Sequence, residues 1–451
     1  MLFTNKKIVV LGAGISGVSV AQVLQQQGAQ VILSDAKPAQ LCKSQDFSLL
    51  QQCGVELALG RQDEGLLENV DYLVVSPGIA IDIPLITAAK NRGITVISEI
   101  EVAYRLCPAP ILAITGTNGK TTTTTLLGEM VKKMNPEVVV GGNIGLALSR
   151  EVAEIGEKGI VIAEISSFQL EGIIDFKPHI AAILNITPDH LDRHHTIENY
   201  IEMKERVFAN QTKTDYIVLN YDDSTVRAME NKVASQVFFF SSERELPAGI
   251  YIKEGIITIT WDDKSIPVCP VKDITLPGRH NVENVLAACS IAYLAGVKVE
   301  DMVQTIQEFI GVEHRIEKVA VINDVAYYND SKATNPESSI KALEAFEEPL
   351  ILIAGGRDKN TDLTDFMHII KEKVQHLILI GEATQRFRAA AMERNVKNIY
   401  DARDLAHAVS LAHELAQKQD VVLLSPACAS YDMFKSYEER GKIFKALVAK
   451  L

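Results

Sequence analysis

The stretch from Ile111 to Thr121, with the sequence ILAITGTNGKT, constrains the fold of this chain more than any other segment. Its apolar start predicts a buried parallel strand over 111–114, and the residues from 121 to 133 predict a helix. A glycine-rich turn between a strand and a helix is the layout of a phosphate-binding loop, because backbone N–H groups and the helix N-terminus attract phosphate oxygens. An ordinary glycine-rich turn is the alternative, and Gly-Lys-Thr at the junction favours the phosphate-binding loop.

Individual residues of this loop have separate expected roles. Gly116 and Gly119 let backbone N–H groups approach a phosphate. Lys120 supplies a charge for the β- and γ-phosphates, and Thr121 supplies a hydroxyl that can ligate Mg²⁺. Ile114 stands where the eight-residue pattern has glycine, so the loop is the shorter form that spans 115–121.

A second glycine-rich turn, from Gly12 to Gly17, follows a predicted strand over 7–11 and opens a helix. Another strand over 30–33 leads to Asp35, about 20 residues beyond the turn, which completes a dinucleotide-binding fingerprint. This pattern indicates only that a phosphate or pyrophosphate can bind here. An NAD-dependent oxidoreductase with Asp35 on the ribose is the alternative. Further strands over 72–75 and 95–97 predict a small doubly wound domain ending near residue 98.

Acidic and histidine side chains follow the strands beyond the phosphate-binding loop. Glu164 ends an apolar strand over 159–163, and this position suits a Mg²⁺ ligand. The cluster from Thr187 to His195 follows a strand over 180–186, and we expect His190 to meet the metal or the substrate. A structural zinc site is the alternative, but the crowding of these ligands into one turn argues against it.

Other polar residues of this segment are predicted to face solvent. His194 and His195 are expected to be solvated, and Lys204, on a helix predicted over 197–210, is by sequence alone a surface lysine. From 215 to 271 short strands alternate with turns, which predicts a β-rich excursion. The stretch 278–284 then opens a helix over 285–295, whose first amides suit a purine edge or a phosphate.

The last third of the chain predicts another doubly wound sheet. Apolar strands are expected over 319–324, 350–354, 376–380 and 421–424. Polar loops over 329–335, 355–359 and 425–430 follow the strands. Because ligands of open α/β sheets bind beyond the carboxyl ends of the strands, these loops predict a ligand site.

Composition places the chain in a broad class. Its 451 residues, 47% hydrophobic, suggest three domains, which we set at 1–98, 99–310 and 311–451. The net charge of −13 argues against a non-specific nucleic-acid binder, and the six cysteines form no C-x-x-C pair, as in a reducing compartment. The N-terminus is unlike a signal peptide, and no apolar run is long enough to span a bilayer. We therefore expect a soluble cytoplasmic protein that binds neither nucleic acid nor membrane.

Together these motifs resemble those of the Mur ligases of peptidoglycan synthesis, over essentially the whole chain. The shorter loop 115–121 is similar to the ATP loop of that family. The segments EISSFQL (164–170), NDSKATN (329–335) and LSPACASYDMF (424–434) resemble the members that add D-glutamate. The Asp-Asn-Pro-Arg motif of the diaminopimelate-adding relatives is absent. The resemblance implies an α/β protein of three domains: an N-terminal Rossmann-like domain, a central P-loop ATPase-like parallel sheet with the β-rich excursion, and a C-terminal Rossmann-like domain.

The resemblance also implies roles residue by residue. ATP would be bound by Gly116, Thr117, Asn118, Gly119, Lys120, Thr121, Thr122, Asn281, Asn284, Arg315 and Asp330. The metal ligands, for two Mg²⁺ ions in all, would be Thr121, Glu164, His190 and a carbamylated Lys204. The catalytic residues would be Lys120, His190, Lys204 and Arg315. The UDP-sugar substrate would meet Gly14, Ile15, Ser16, Asp35, Gly78, Asn143 and Ser166, and D-glutamate would meet Lys332, Thr334, Lys359, Ser430 and Tyr437. Ala36 and Tyr437 stand where well-known members carry Thr and Phe.

The implied reaction is the ATP-dependent addition of D-glutamate to UDP-N-acetylmuramoyl-L-alanine through an acyl phosphate, in a monomer whose domains close during turnover. Another Mur ligase with a different amino acid and a folylpolyglutamate synthase are rivals; the second has no equivalent of the N-terminal glycine-rich domain. A nucleotide-binding module without catalysis is a third. Phosphate release with each amino acid in turn discriminates among them.

Overall fold

The computed structural model of the chain describes residues 2–39, 42, 47–145 and 147–451. The chain divides into two compact units, one of residues up to 271 with 283–305, and one of residues 272–282 with 306–451. The described strands form three sheets, each mainly parallel, so the predicted three-domain α/β class is confirmed. The boundaries at 98 and 310 stay predictions.

The N-terminal sheet is wholly parallel, in the order β3-β2-β1-β4-β5. Apolar residues of β1 are buried on both faces, as a central parallel strand requires. Its elements are β1 (Lys7–Leu11), α1 (Ile15–Gln26), β2 (Gln30–Asp35), α2 (Ser48–Gln52), β3 (Glu56–Leu59), β4 (Tyr72–Val75), α3 (Pro84–Asn91), β5 (Thr95–Ser98) and the following α4 (Glu99–Leu106). The order reverses at β1, so the glycine turn after β1 opens at the switch point where such sheets bind ligands.

The central sheet has the order β14-β13-β12-β11-β10-β9-β6-β8-β7. Its elements are β6 (Ile111–Thr115), α5 (Lys120–Met134), β7 (Val138–Gly142), α6 (Leu148–Glu151), β8 (Ile160–Glu164), α7 (Ser167–Leu170), β9 (Ile180–Ile183), α8 (Leu191–His194), α9 (Ile197–Glu205), β10 (Tyr216–Asn220), α10 (Ser224–Ala228), β11 (Gln236–Ser241), β12 (Gly249–Lys253), β13 (Ile256–Trp261), β14 (Lys264–Pro270), α11 (Arg279–Leu294) and α12 (Val299–Glu308). Strand β6 is buried along its whole length between β8 and β9. The phosphate-binding loop therefore starts from the middle of a rigid sheet.

The β-rich excursion extends this same sheet. Strand β12 pairs parallel with β11, whereas β13 and β14 pair antiparallel. The predicted excursion is confirmed, and its strands continue the parallel sheet instead of forming a separate one.

The C-terminal sheet has the order β15-β16-β20-β17-β18-β19 and is parallel except for the β15–β16 hairpin. Its elements are β15 (Glu317–Ile322), β16 (Val325–Asn329), α13 (Pro336–Glu344), β17 (Leu350–Gly355), α14 (Thr364–Lys373), β18 (Val374–Ile380), α15 (Thr384–Glu393), β19 (Ile399–Asp401), α16 (Leu405–Leu415), β20 (Val421–Leu424) and α17 (Tyr437–Val448). The three polar loops predicted to form a ligand site follow β16, β17 and β20, which are neighbours in the sheet.

Several predicted element boundaries were wrong. The strand expected over 319–324 is β15, which ends at Ile322 because the chain turns at 323–324 to enter β16. Strand β9 ends at Ile183, because the next residues turn to pair with the phosphate-binding loop. Helix α9 ends at Glu205 and continues as a 3₁₀ turn over 206–208. Helix α11 begins at Arg279, so Asn281 and Asn284 lie inside it and not before it. A polar residue in the first helical turn looks like a loop residue in a sequence.

Candidate active site

The loop at the end of β6 has the geometry predicted for phosphate binding. Gly119 lies in the left-handed region (φ 84°) as the N-cap of α5. A Cβ atom there would lie 2.1 Å from Oδ1 of Asn284, so only glycine fits. Lys120 Nζ donates to the carbonyls of Gly116 (2.9 Å) and Thr117 (2.7 Å), which keeps its charge within the loop. The strand, loop and helix are confirmed, while ATP binding stays a prediction.

Residues distant in sequence brace this loop, and the sequence analysis missed one of them. Asn118 N–H donates to Oδ1 of Asn185 (2.8 Å), and Nδ2 of Asn185 donates to the Asn118 carbonyl (3.1 Å). Thr123 Oγ1 lies 3.4 Å from Oδ1 of Asn284, which supports the place of Asn284 beside the loop. The position of Asn185 just beyond β9 was the available signal, since polar residues at the carboxyl ends of parallel strands surround a common site.

Lys204 lies under the loop, and the expectation of a surface lysine was wrong. Its side chain is 1% exposed. Nζ donates to the Gly116 carbonyl (2.8 Å) and lies 4.6 Å from the centre of the Tyr200 ring. Burial, reinforced by the charge of Lys120, holds the pKa of Lys204 well below its usual value. One face of α9 therefore brings into contact with the loop a buried amine whose protonated form is destabilised.

Glu164 supplies a buried oxygen suited to a cation. The residue is 2% exposed and pairs with Ile114 of β6 and Gly142 of β7 in the sheet register. Oε1 accepts from Nδ2 of Asn143 (2.8 Å), while Oε2 is buried and has no hydrogen-bond partner among the described residues. A buried, unpaired carboxylate oxygen is costly without a cation, so this position fits a hard metal ion. No three His, Cys, Asp or Glu side chains of the described residues form a complete metal cage.

The histidines near residue 190 differ from one another. His190 adopts a left-handed conformation (φ 54°), and its ring lies 4.8 Å from that of Phe168. His194 is 5% exposed, and its ring stacks on that of Phe168 with the ring centres 5.4 Å apart. Its Nε2 atom lies 3.0 Å from Ser167 Oγ. The prediction that His194 is solvated was therefore wrong, whereas His195 is exposed as expected. Aromatic neighbours from other elements bury His194, and its own sequence context does not indicate them.

Arg193 ties this segment to the N-terminal domain. Its guanidinium donates to Glu171 (Nε–Oε1 3.1 Å) and to the carbonyl of Ile79 (2.7 Å). An open cleft of about 330 Å³ lies beside this contact and is lined by residues of 80–82 and of 193–203. Neither Arg193 nor Glu171 was predicted as a site residue, because their ion pair and the contact of Arg193 with Ile79 of the N-terminal domain join residues far apart in the sequence.

The residues predicted to bind the UDP-sugar surround the N-terminal glycine turn. A Cβ atom on Gly14 or on Gly78 would meet no atom within 4 Å, so each borders open space. Ile15 is 63% exposed and Ser16 is partly exposed, both in the first turn of α1. Asp35 accepts from the N–H groups of Ala13 and Lys37, each at 2.8 Å. This aspartate thus holds the turn in place.

Two more predicted substrate residues belong to the central sheet. Asn143 is exposed and bonded to Glu164, as described above. Ser166 caps α7 in a reciprocal arrangement with Gln169. Both lie on loops that follow adjacent strands, β7 and β8.

The five residues predicted to bind D-glutamate lie on loops and a helix start of the C-terminal unit. Lys359 Nζ donates to the carbonyl of Thr334 (3.2 Å), and Lys332 Nζ lies 5.9 Å from the centre of the Tyr437 ring. Ser430 is 2% exposed on the loop after β20. The structure therefore brings Lys359 together with Thr334, and Lys332 together with Tyr437.

The remaining predicted ATP contacts of this unit are less accessible. Asp330 is 4% exposed, and it accepts from Ser425 Oγ (2.7 Å) and from the N–H of Ile316 (3.3 Å). Burial raises the pKa of Asp330 to about 7. Arg315 is partly exposed, and Asn281 Nδ2 donates to the Pro277 carbonyl (2.7 Å). Their contacts with ATP stay predictions.

Comparisons with known proteins agree with this arrangement. Residues 6–98 match the family model of the Mur ligase MurD-like N-terminal domain, 114–292 the Mur ligase middle domain, and 314–428 the Mur ligase glutamate ligase domain. The UDP-N-acetylmuramoylalanine–D-glutamate ligases of Caldanaerobacter subterraneus subsp. tengcongensis and Thermoanaerobacter sp. (strain X514) are each 46% identical over 453 residues, covering 100% of both chains. The crystal structure of the UDP-N-acetylmuramate-alanine ligase from Thermotoga maritima has the same fold (TM-score 0.60, 18% identity, covering 98% of this chain and 99% of that one).

Two observations show the family: the identity of 46% over the full length, and the matches to three Mur ligase domain models that follow one another along the chain. The chain belongs to the Mur ligase family.

Proposed function

We propose that this chain is an ATP-dependent ligase that joins D-glutamate to UDP-N-acetylmuramoyl-L-alanine and releases ADP and phosphate. The full-length relatives at 46% identity have that D-glutamate ligase name. The structural observation that carries the proposal is the contact of the buried Lys204 amine with the phosphate-binding loop, 2.8 Å from the Gly116 carbonyl. The Gly-Lys-Thr loop between β6 and α5, against which this amine packs, has the layout of an ATP-binding loop, which favours a ligase over a dehydrogenase.

ATP and Mg²⁺ fit the residues present. Gly116 to Thr122 would hold the phosphates, with Lys120 as their fixed cation. Thr121, Glu164 and His190 would hold metal, and the unpaired Oε2 of Glu164 supports this assignment. Bound Mg²⁺ would offset the negative charge of the phosphates.

The surroundings of Lys204 support the proposal that this residue is carbamylated. Only a neutral amine adds to CO₂, and the lowered pKa of Lys204 favours that form. Addition forms an N–C bond and releases one proton, so the amine becomes an anionic oxygen donor. Oxygen donors are what hard divalent cations prefer.

The reaction has two steps. A carboxylate oxygen of the L-alanine residue attacks the γ-phosphorus of ATP and expels ADP, forming an acyl phosphate. The amine of D-glutamate then attacks the acyl carbon, phosphate leaves with its bonding electrons, and the amine loses a proton. Because His190 would hold metal, Asp189, whose Oδ2 lies 3.5 Å from Nε2 of His190, is the candidate proton acceptor. Lys332, Thr334, Lys359, Ser430 and Tyr437 would hold the dicarboxylate, since two cations and hydroxyls match its charge.

Phosphate release with ATP, Mg²⁺ and UDP-N-acetylmuramoyl-L-alanine, with each amino acid added in turn, tests the proposal. We expect phosphate release that requires D-glutamate. L-glutamate, L-lysine and diaminopimelate should not support it. Release with another amino acid would keep the ligase and overturn the glutamate site. No release with any of them would contradict the ligase and favour a binding module.

Two further expectations accompany this function. Within the described residues, no helix is both long enough and apolar enough to cross a membrane. The cytoplasmic location and the monomeric state stay predictions, and sedimentation of the purified chain would test the second.

A further inference from the structure

Arg440 is fully buried, with 0% of its surface exposed, and is the largest side chain so buried in the described part of the chain. Its guanidinium donates only to uncharged oxygens. Nε donates to Ser331 Oγ (2.9 Å), Nη2 to the carbonyls of Ser331 (2.8 Å) and Cys428 (3.1 Å), and Nη1 to the carbonyl of Ala429 (3.4 Å). Among the described residues, it forms no ion pair with a carboxylate. A buried guanidinium in such surroundings holds backbone in place rather than neutralising a partner.

The oxygens that Arg440 binds belong to two separate loops. Ser331 precedes Lys332 on the loop after β16, while Cys428 and Ala429 precede Ser430 on the loop after β20. Ser331 Oγ also donates to the carbonyl of Tyr437, at the start of the helix that carries Arg440. The guanidinium therefore fixes the spacing of the loops that carry three proposed glutamate ligands.

The second loop needs such a restraint. Ala427 has a φ of 56°, a left-handed conformation that alanine rarely adopts. Strained backbone of this kind persists only where its surroundings determine it. The carbonyls of the next two residues are the ones that Arg440 binds, so the restraint acts where the strained turn ends.

We propose that Arg440 is a positioning residue for the amino-acid substrate: it holds the loops 329–335 and 425–430 at the separation that a dicarboxylate needs, without touching the substrate. The inference rests on the proposed function. Lysine at this position keeps the positive charge but lacks the planar guanidinium that reaches both loops. The Arg440→Lys variant therefore distinguishes the effect of loop positioning from that of the charge.

Steady-state phosphate release by the full-length enzyme tests this role, with KM measured for each substrate while the other two are saturating. In Arg440→Lys we expect KM for D-glutamate to rise about tenfold or more, the loss that a binding penalty of about 1.4 kcal/mol produces. KM for UDP-N-acetylmuramoyl-L-alanine should stay within about twofold of wild type. Arg388→Met is the matched control, because Asp401 on the edge strand β19 is the one described residue that Arg388 pairs with, and its loss should leave every KM unchanged.

A second variant decides the case where Arg440→Lys does not fold. Ser331→Ala removes one acceptor of the guanidinium and keeps the arginine, so we expect KM for D-glutamate alone to rise about threefold. An unchanged KM for D-glutamate in a folded variant, or an equal rise of KM for all substrates, would overturn the inference. Wild-type enzyme without D-glutamate-dependent release would instead contradict the proposed function, so the two failures are distinguishable.

Discussion

Lys204 and Arg440 are two buried cations in different units of the molecule, and their surroundings differ in one respect. Among the described residues, Lys204 has a single carbonyl within hydrogen-bond distance, whereas Arg440 has four acceptors. Burial lowers the pKa of both, well below the usual value for Lys204 but only to about 10 for Arg440. Burial therefore favours the neutral form of the lysine more strongly than that of the arginine, which keeps its charge at neutral pH.

The difference teaches how burial can serve chemistry or architecture. A poorly solvated amine is destabilised as a cation, so it becomes a nucleophile. A guanidinium with a full set of acceptors is a charged cross-link between loops. The number of acceptor oxygens around a buried cation thus separates a reactive group from a positioning group.

The largest expected effect concerns Lys204. Lys204→Ala should lower the rate of phosphate release about 10³-fold, because the oxygen donor for the second cation is lost. Added formate should restore part of the rate. Lys232→Ala is the control, since Lys232 is 58% exposed and pairs with Glu205 on the surface. Full activity of Lys204→Ala without added carboxylate would contradict the proposed role of Lys204 as a metal ligand.

The two cations should affect stability in opposite directions. In CO₂-depleted buffer at pH 7, Lys204→Met should raise the free energy of unfolding by about 1–3 kcal/mol, because it removes a poorly solvated amine. Arg440→Met should lower it by about 3 kcal/mol, because four buried oxygens lose their donor. Calorimetry of the full-length variants measures both free energies of unfolding. Changes of the same sign in the two variants would contradict the contrast between the two buried cations.

The pH dependence of the Lys204→Met difference follows from the sign of the pKa shift. The pKa of Lys204 is lower in the folded than in the unfolded chain, so the unfolded chain binds more protons between those two values. Wild-type stability should therefore rise with pH up to about 10, and the advantage of Lys204→Met should shrink.

Asp330 provides a smaller test in the C-terminal unit. Because burial raises its pKa to about 7, the folded chain holds a proton that the unfolded chain has already lost. Wild-type stability should fall by about 2 kcal/mol relative to Asp330→Asn as the pH rises from 5 to 7. The surface variant Asp401→Asn should show no such trend. An Asp330→Asn variant with the wild-type pH profile would contradict the raised pKa.

The smallest effect concerns the strained turn. Ala427→Gly alone should change the free energy of unfolding by less than about 0.5 kcal/mol, since relief of the left-handed conformation is offset by a more flexible unfolded chain. In the Arg440→Lys background, the same change should lower KM for D-glutamate about twofold, because glycine adopts the turn without the restraint. If the glycine does not lower KM for D-glutamate in this background, the strained turn at Ala427 has no part in the role of Arg440.

The sequence predicted the parts of the site that local patterns determine. The strand, glycine loop and helix around Lys120 follow from apolar runs and Gly-Lys-Thr, and the position of Glu164 follows from the end of its strand. The burial of Lys204 has no such pattern, because it depends on packing against a loop 88 residues earlier in the chain. Arg440 lies in the charged run Glu438-Glu-Arg-Gly-Lys442, which resembles a solvated helix face. Long-range packing decides both cases.

The return of residues 283–305 to the first unit has a consequence for biosynthesis. Helix α11 contributes Val285, Leu286 and Ala288 to buried positions, each at most 2% exposed. A nascent chain that has emerged only as far as Val271 lacks these side chains, so its largest unit cannot complete its core. Domains usually fold in order as they leave the ribosome. Here the central sheet must wait for a helix that is made later, and a recombinant fragment that stops at Val271 should be aggregation-prone.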